Sequence, residues 1–431
     1  MNKLYEVIKM LNSKDYYVKQ YALDALRKFD SFLPSCVAEL LDFFVRETDS
    51  SFKSAVLKLF TQKKLTGHFD FFAANVENCD YVVKIAFFDY IGETVETSAK
   101  EYLINTFYKE NNPRIRSKIV KTVSCLLKSS ESFHIEKETI FDFLNDADAR
   151  VRANACSIKS DFGNIIIKAE YKKLLSDSSS RVVADAAIAL YNSGDKSVAH
   201  YIEEKLGLAS NDGEKSSLLY AMGKIKSETA YPVIQKYLRD ASHDVRRNAI
   251  ISAGALKLKE SIADLLDLYF IEQKECRENL SKILGALKAI DEFDSTMAIL
   301  DMLNGSAEDS FKRATLVKVL AHFASSDMAH YIVSYLDDTD ERVRANAVEA
   351  ICFLKEREAV GSDFVVKNLL VSMCDTNSRV VANSVRALYA AGVVSVISVL
   401  REMLLSNTES VRDAARHVVS YFPEGLVTIN G

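Results

Sequence analysis

Guanidinium and carboxylate groups recur in fixed register along this chain. Arg152, Arg246, Arg344 and Arg412 each follow an apolar residue, with Asp148, Asp244, Asp340 and finally Asn407 or Glu409 shortly before it. A row of guanidinium groups could bind oxyanions through paired hydrogen bonds. Because the acids recur in step with the arginines, the pattern favours a structural ladder, each Arg reaching the acidic turn of its own or an adjoining segment. A second recurring polar residue lies three positions after the apolar one: Asn154, Asn248, Asn346 and Asn383. Such an Asn row can bind the backbone of an extended peptide. Here it borders the apolar stripe, which favours a hydrogen bond to the neighbouring segment's backbone.

Other chemistry is sparse. The seven histidines (His68, His134, His200, His243, His322, His330 and His417) include no His-Glu dipeptide and no His-x-x-x-His pair that would place two ligands on one helical turn. The seven cysteines (Cys36, Cys79, Cys125, Cys156, Cys276, Cys352 and Cys374) never reach CxxC spacing and are odd in number, as expected of reduced thiols in a cytoplasmic protein. No glycine-rich phosphate loop, nucleophile elbow or Ser/His/Asp arrangement is visible, so neither a metal nor a cofactor is expected.

The elements that position these residues are helices. Only 4 Pro and 14 Gly interrupt 431 residues that are 48% apolar, and no Pro/Gly/Ser-rich stretch marks a linker. Lys and Arg total 55 against 60 Asp and Glu, a net charge of −5, so there is no general basic field to recruit nucleic acid, and such a partner is disfavoured. The segment Met1–Met10 reads as an amphipathic helix start rather than a signal peptide, and the apolar run from Ala390 to Leu405 is broken by Ser395, Ser398, Arg401 and Glu402. A cytoplasmic location without membrane insertion is the expectation.

The segment Asp148-Ala-Arg-Val-Arg-Ala-Asn-Ala155 returns as Asp340-Glu-Arg-Val-Arg-Ala-Asn-Ala347, and weaker copies recur about every 33 residues. Anchored on the valine, the series runs Val18, Phe52, Val82, Ile115, Val151, Val182, a degenerate copy near Ser216, Val245, Cys276, Phe311, Val343, Val380 and Val411. Each repeat has room for two helices, and the small residue four positions after the anchor (Ala155, Ala347) lets neighbouring helices approach. Polar turns such as Asn145–Asp148, Ser176–Ser180 and Asp337–Asp340 precede the second helix and suit its free amides. The pattern Asp-x-x-Val-Arg-x-x-Ala, also present around Asp240–Ala249 and Ser178–Ala186, resembles the bacterial HEAT repeat, including the subclass named after phycobilisome lyases. The resemblance spans the chain and implies an all-α, right-handed α-solenoid of about 13 helical hairpins whose second helices line a concave side. Residues 1–143 read as divergent, aromatic-rich repeats, 144–209 as regular repeats, and 210–431 as a second block with a C-terminal cap, in one continuous solenoid. The similarity of Arg150–Ala155 and Arg181–Ala184 to Arg342–Ala347 and Arg379–Ala382 suggests duplication of a six-repeat block.

Enzymes on this scaffold have signatures that this chain lacks. Deoxyhypusine hydroxylases need His-Glu motifs, and HEAT-like DNA glycosylases are basic and use Trp, whereas this chain is acidic and has no Trp. A bilin lyase remains an alternative, as does a nucleic-acid-binding array. More than half of the 19 Tyr and 23 Phe lie before residue 144, with adjacent pairs at Tyr16-Tyr17, Phe43-Phe44, Phe71-Phe72 and Phe87-Phe88. Adjacent helical residues point about 100° apart, so a narrow core stripe would leave ring surface for a partner. A basic cluster, Arg114, Arg116, Lys118, Lys121 and Lys128, lies alongside. The expectation is a non-catalytic scaffold that binds a protein or peptide, with Phe43, Phe44, Phe71, Phe72, Phe87, Phe88, Arg114, Arg116 and Lys118 as candidate contacts. Its oligomeric state is open.

Overall fold

The computed structural model describes residues 2–158, 164–226, 230–423 and 426–427. Its internal contacts divide the chain into two compact units, Met1–Ala209 and Ser210–Gly431. Both are all-helical stacks among the described residues. In the first unit the helices are α1 (Asn2–Met10), α2 (Tyr16–Leu26), α3 (Pro34–Arg46), α4 (Ser50–Gln62), α5 (Phe69–Val76), α6 (Tyr81–Thr94) and α7 (Lys100–Lys109). There follow α8 (Pro113–Ser129), α9 (Lys137–Leu144), α10 (Ala149–Ala155), α11 (Asn164–Leu174), α12 (Ser180–Asn192) and α13 (Val198–Leu208). The second unit begins with α14 (Asp212–Ile225), α15 (Ala230–Leu238), α16 (His243–Leu256), α17 (Ile262–Glu275), α18 (Glu278–Ile290) and α19 (Glu292–Asn304). It continues through α20 (Ser310–Leu320), α21 (Ala329–Val333), α22 (Glu341–Glu356), α23 (Ser362–Leu369), α24 (Ser378–Ala390), α25 (Ile397–Leu404) and α26 (Glu409–Val419).

Even-numbered helices are the second helices of the repeats, and within each unit successive ones pack on each other, except at the step from α18 to α20. Their starts are set by the polar turns. Asp15, Asp49, Asp80, Asn112, Asp148, Asn211, Asp309, Asp340 and Asn377 each cap a helix by accepting a backbone N–H through the side chain. The anchors Val151, Val182, Val245, Val343 and Val380 are buried, as are Ala155 and Ala347. Three anchors are misplaced by sequence alone. In α6 the buried residue is Val83 and Val82 is exposed, Cys276 ends α17 instead of entering α18, and Phe311 is exposed while Ala314 is buried. Where the motif is degenerate, a neighbouring apolar residue competes for the same pattern position.

Close approach of second helices explains two glycines differently. A Cβ on Gly254 of α16 would meet Ala286 Cα at 2.9 Å and Cβ at 3.0 Å, whereas a Cβ on Gly285 of α18 meets nothing within 4 Å. Gly254→Ala should therefore lower stability by about 1–3 kcal/mol through overpacking. Gly285→Ala should raise it by about 0.5–1 kcal/mol through helix propensity. Urea unfolding midpoints of the two variants should move in opposite directions.

Candidate partner-binding surface

The recurring arginines form a clamp from one repeat to the next. Counting from the N-cap of each second helix, a cation at the fourth following residue meets an acid two residues before the N-cap of the next second helix. Arg116 pairs with Asp146 through Nε and Nη2, both at 2.9 Å. Arg152 pairs with Asp177 at 2.7 and 2.8 Å, Arg313 with Asp338 at 2.9 and 3.0 Å, and Arg344 with Asp375 at 2.7 and 2.9 Å. Arg246 reaches the fully buried Glu272 at 2.6 Å and Glu275 at 2.7 Å. Lysines do the same work in Lys19–Glu47 (2.6 Å), Lys84–Glu110 (3.8 Å) and Lys215–Asp240 (2.9 Å).

Each arginine also ties down its own turn. Nη1 of Arg152 donates to the carbonyls of Asp146 and Ala147, that of Arg246 to Asp240 and Ala241, and that of Arg344 to Asp338 and Thr339. The acid is equally occupied: Asp146, Asp177, Asp338 and Asp375 each accept the backbone N–H of the next N-cap residue at 2.7–2.8 Å. Asp148 and Asp340 have a different task. They cap α10 and α22 and bind Arg150 and Arg342, and those contacts hold the Asp148 carboxyl at about 2. At three steps both halves of the clamp are absent together, Val183 with Ala209, Ser281 with Ala307 and Val381 with Ser406, whereas Lys53 keeps the cation opposite Asn78.

The recurring Asn residues are also structural. Asn154 donates to the carbonyl of Ser117, Asn346 to that of Ala314 and Asn383 to that of Ala345, each in the preceding repeat, while Asn248 bonds within its own helix to Asp244. In α12 the same position is Asp185. Burial pushes its carboxyl up to about 6 against the opposing influence of Arg181, whose Nε is 3.8 Å away.

The paired phenylalanines do not form an exposed patch. Phe43, Phe44, Phe72, Phe87 and Phe88 are buried, and Phe71 is half-buried. Phe72 sits edge-on to Phe44 and Phe60, each at 5.1 Å, and to Tyr90 at 5.4 Å. Adjacent rings such as Phe87 and Phe88 are both enclosed because α6 packs on α4, α5 and α8 together, so most of its circumference is core. The basic cluster is likewise partly engaged. Arg116 belongs to the clamp, Lys118 pairs with Asp89, and only Arg114, Lys121 and Lys128 are exposed.

Two other features of the first unit are accessible. Tyr17 and Tyr21 of α2, one helical turn apart, are 80% and 64% exposed, with Tyr16 beside them against Phe52. The only sequence signal for them was the Tyr16-Tyr17 pair. A cleft of about 410 Å³ opens where the eight-residue α5 ends and leaves the C-terminal half of α7 uncovered; Phe88 and Tyr102 form part of its floor, and Glu77 and Lys109 are exposed at its margin. Among the described residues, no group of three or more His, Cys, Asp or Glu could hold a metal ion, and no helix is long and apolar enough to cross a membrane.

These stacked hairpins are an α-solenoid. No family model and no curated protein matches the chain. Among solved structures, it is similar to Kap121p bound to RanGTP (13% identity, TM-score 0.44), covering 97% of this chain and 48% of that one. It is also similar to Kap95 in a complex with Nup1 (12% identity, TM-score 0.48; 96% and 66% covered) and to Kap95p with RanGDP (13%, 0.46; 97% and 68%). The chain thus spans about half of the Kap121p chain and two thirds of the Kap95 chains.

The Asp185 position generates a test. Because its folded value lies above the usual 3.8, folding favours the protonated acid, a contribution complete below about pH 4 and lost as pH rises through about 6. Asp185→Asn should raise stability by about 1–2 kcal/mol at about pH 8 and by roughly half as much at about pH 5. Urea midpoints at the two pH values check this.

Proposed function

We propose that the chain is a non-catalytic scaffold of the HEAT-repeat kind that binds a protein or peptide partner through the aromatic surface of its first repeats. The observation that carries the reading is the exposed face of α2. In α10, α22 and α24 the positions two and six residues after the N-cap hold Arg150 and Asn154, Arg342 and Asn346, and Arg379 and Asn383, which bond within the array. In α2 these positions are Tyr17 and Tyr21. Tyrosine joins a large apolar face to a polar tip with few rotatable bonds, the combination that dominates binding hot spots.

The stack suits such a role because its turns are clamped and its helix faces are presented on a repeating frame. A rigid element holding two rings one turn apart restricts the entropy lost on binding. The cleft beside α5 and α7, with Glu77 and Lys109 at its margin, offers a second, mixed-charge surface in the same unit.

Immobilised protein and the Tyr17→Ser, Tyr21→Ser double variant should be compared for proteins retained from native lysate and then for affinity toward the retained species. Loss of two exposed rings should leave the urea midpoint unchanged and weaken binding at least about 10-fold. Equal retention and affinity for the two proteins would remove α2 from the binding surface.

A further inference from the structure

In the second unit, cations from three successive repeats gather around one histidine. His322, just past α20, is half-buried, and its ring lies against Phe353 of α22 with centroids 4.8 Å apart. Arg357, at the end of α22, donates from Nη1 to the carbonyls of Ala321 and His322 at 2.9 and 3.0 Å. Those bonds fix the guanidinium against the backbone of His322 and 5.6 Å from the centre of the same Phe353 ring, and its Nε and Nη2 make no hydrogen bond to the described residues. Lys288 in the last turn of α18 places Nζ 5.7 Å from the ring of Phe323, the residue after His322. Lys318 stands one turn before His322 on α20. Glu349 is its carboxylate partner at 3.4 Å and is shared with Arg379 at the same distance.

A cation at a helix C-terminus complements the helix dipole, which accounts for Lys288 and Arg357 one at a time. It does not account for a half-buried imidazole placed among them, since each positive charge opposes protonation of the ring. Burial first, then Lys288, Arg357 and Lys318, keeps His322 below the ordinary histidine range. Near neutral pH the cluster therefore presents a neutral ring with one N–H, a guanidinium with unused donors and an exposed lysine.

We propose that Lys288, His322 and Arg357 form a binding site for a phosphoryl-type dianion, either free or carried on a partner's phosphorylated side chain. Arg357 supplies paired donors of the geometry that phosphate oxygens accept, Lys288 supplies a second positive charge, and the His322 N–H supplies a directional third contact. A dianion placed there offsets the cations' share of the opposition to protonation, so His322 takes up a proton more readily as the ligand binds. Affinity for an anion that stays doubly charged then rises as pH falls below neutrality. The site is independent of the α2 surface.

The test uses the full chain and sulfate, which stays a dianion from about pH 5 to 8, with chloride at equal ionic strength as the control. By NMR, sulfate should move the His322 ring titration to higher pH, and chloride should not. By calorimetry, Lys288→Gln with Arg357→Gln should weaken sulfate and inorganic phosphate binding at least about 10-fold. Arg357→Lys, which keeps the charge without the fork, should retain part of the affinity and guards against a folding defect. A phosphoserine peptide binding more tightly than inorganic phosphate assigns the group to a partner chain; equal affinities assign it to the free ion. A His322 titration that sulfate leaves unmoved, or sulfate affinity unchanged in the double variant, would overturn the proposal.

Discussion

No hairpin in this chain can bury its apolar surface alone, so every repeat depends on being held against the next. Apolar packing between second helices supplies the attraction, and the clamp supplies the register. One guanidinium binds two carbonyls of its own turn and the carboxylate of the next, and that carboxylate also receives the backbone N–H of the following N-cap residue. Three segments of backbone are thereby fixed by two side chains. Arg344 and Asp375 are mostly buried, with side-chain exposures of 16% and 11%, so their charges are less screened than those of a surface pair.

This division of labour separates stability from binding. The residues that look most like chemistry are largely engaged in holding the array, and the faces available to a partner are those where the repeated motif gives way to other residue types. Tyr17 and Tyr21 replace the Arg and Asn of regular repeats. His322, Lys288 and Arg357 lie outside the clamp altogether, at the far ends of their helices. A solenoid can vary these positions freely because the clamp and the core occupy a different set.

The architecture was legible in the sequence because repetition averages over local ambiguity: a single Val-Arg-x-x-Ala segment says little, but thirteen copies at similar spacing require hairpins that stack. The register was less legible at α6, α18 and α20, where Val82, Cys276 and Phe311 occupied the pattern position taken in space by other residues. The candidate surface was misread more deeply. Phe43, Phe44, Phe72, Phe87 and Phe88 are core because their helices are enclosed by several neighbours, a fact of three-dimensional packing that an angular argument on one helix does not contain. The acid that partners each arginine was also hidden, since it belongs to the following repeat. Its signal was present in the joint loss at Val183 and Ala209, Ser281 and Ala307, and Val381 and Ser406.

The claim that the repeated Arg and Asp are a stacking clamp is tested most directly by a double-mutant cycle across Arg344 and Asp375, read from urea unfolding. The Arg344 guanidinium holds the Asp375 carboxyl below its usual 3.8, so the pair stabilises the fold above that value and is lost as pH falls below it. The account predicts a coupling of about 1–3 kcal/mol near pH 7 that shrinks as pH approaches about 2. A coupling indistinguishable from zero near pH 7 would contradict it.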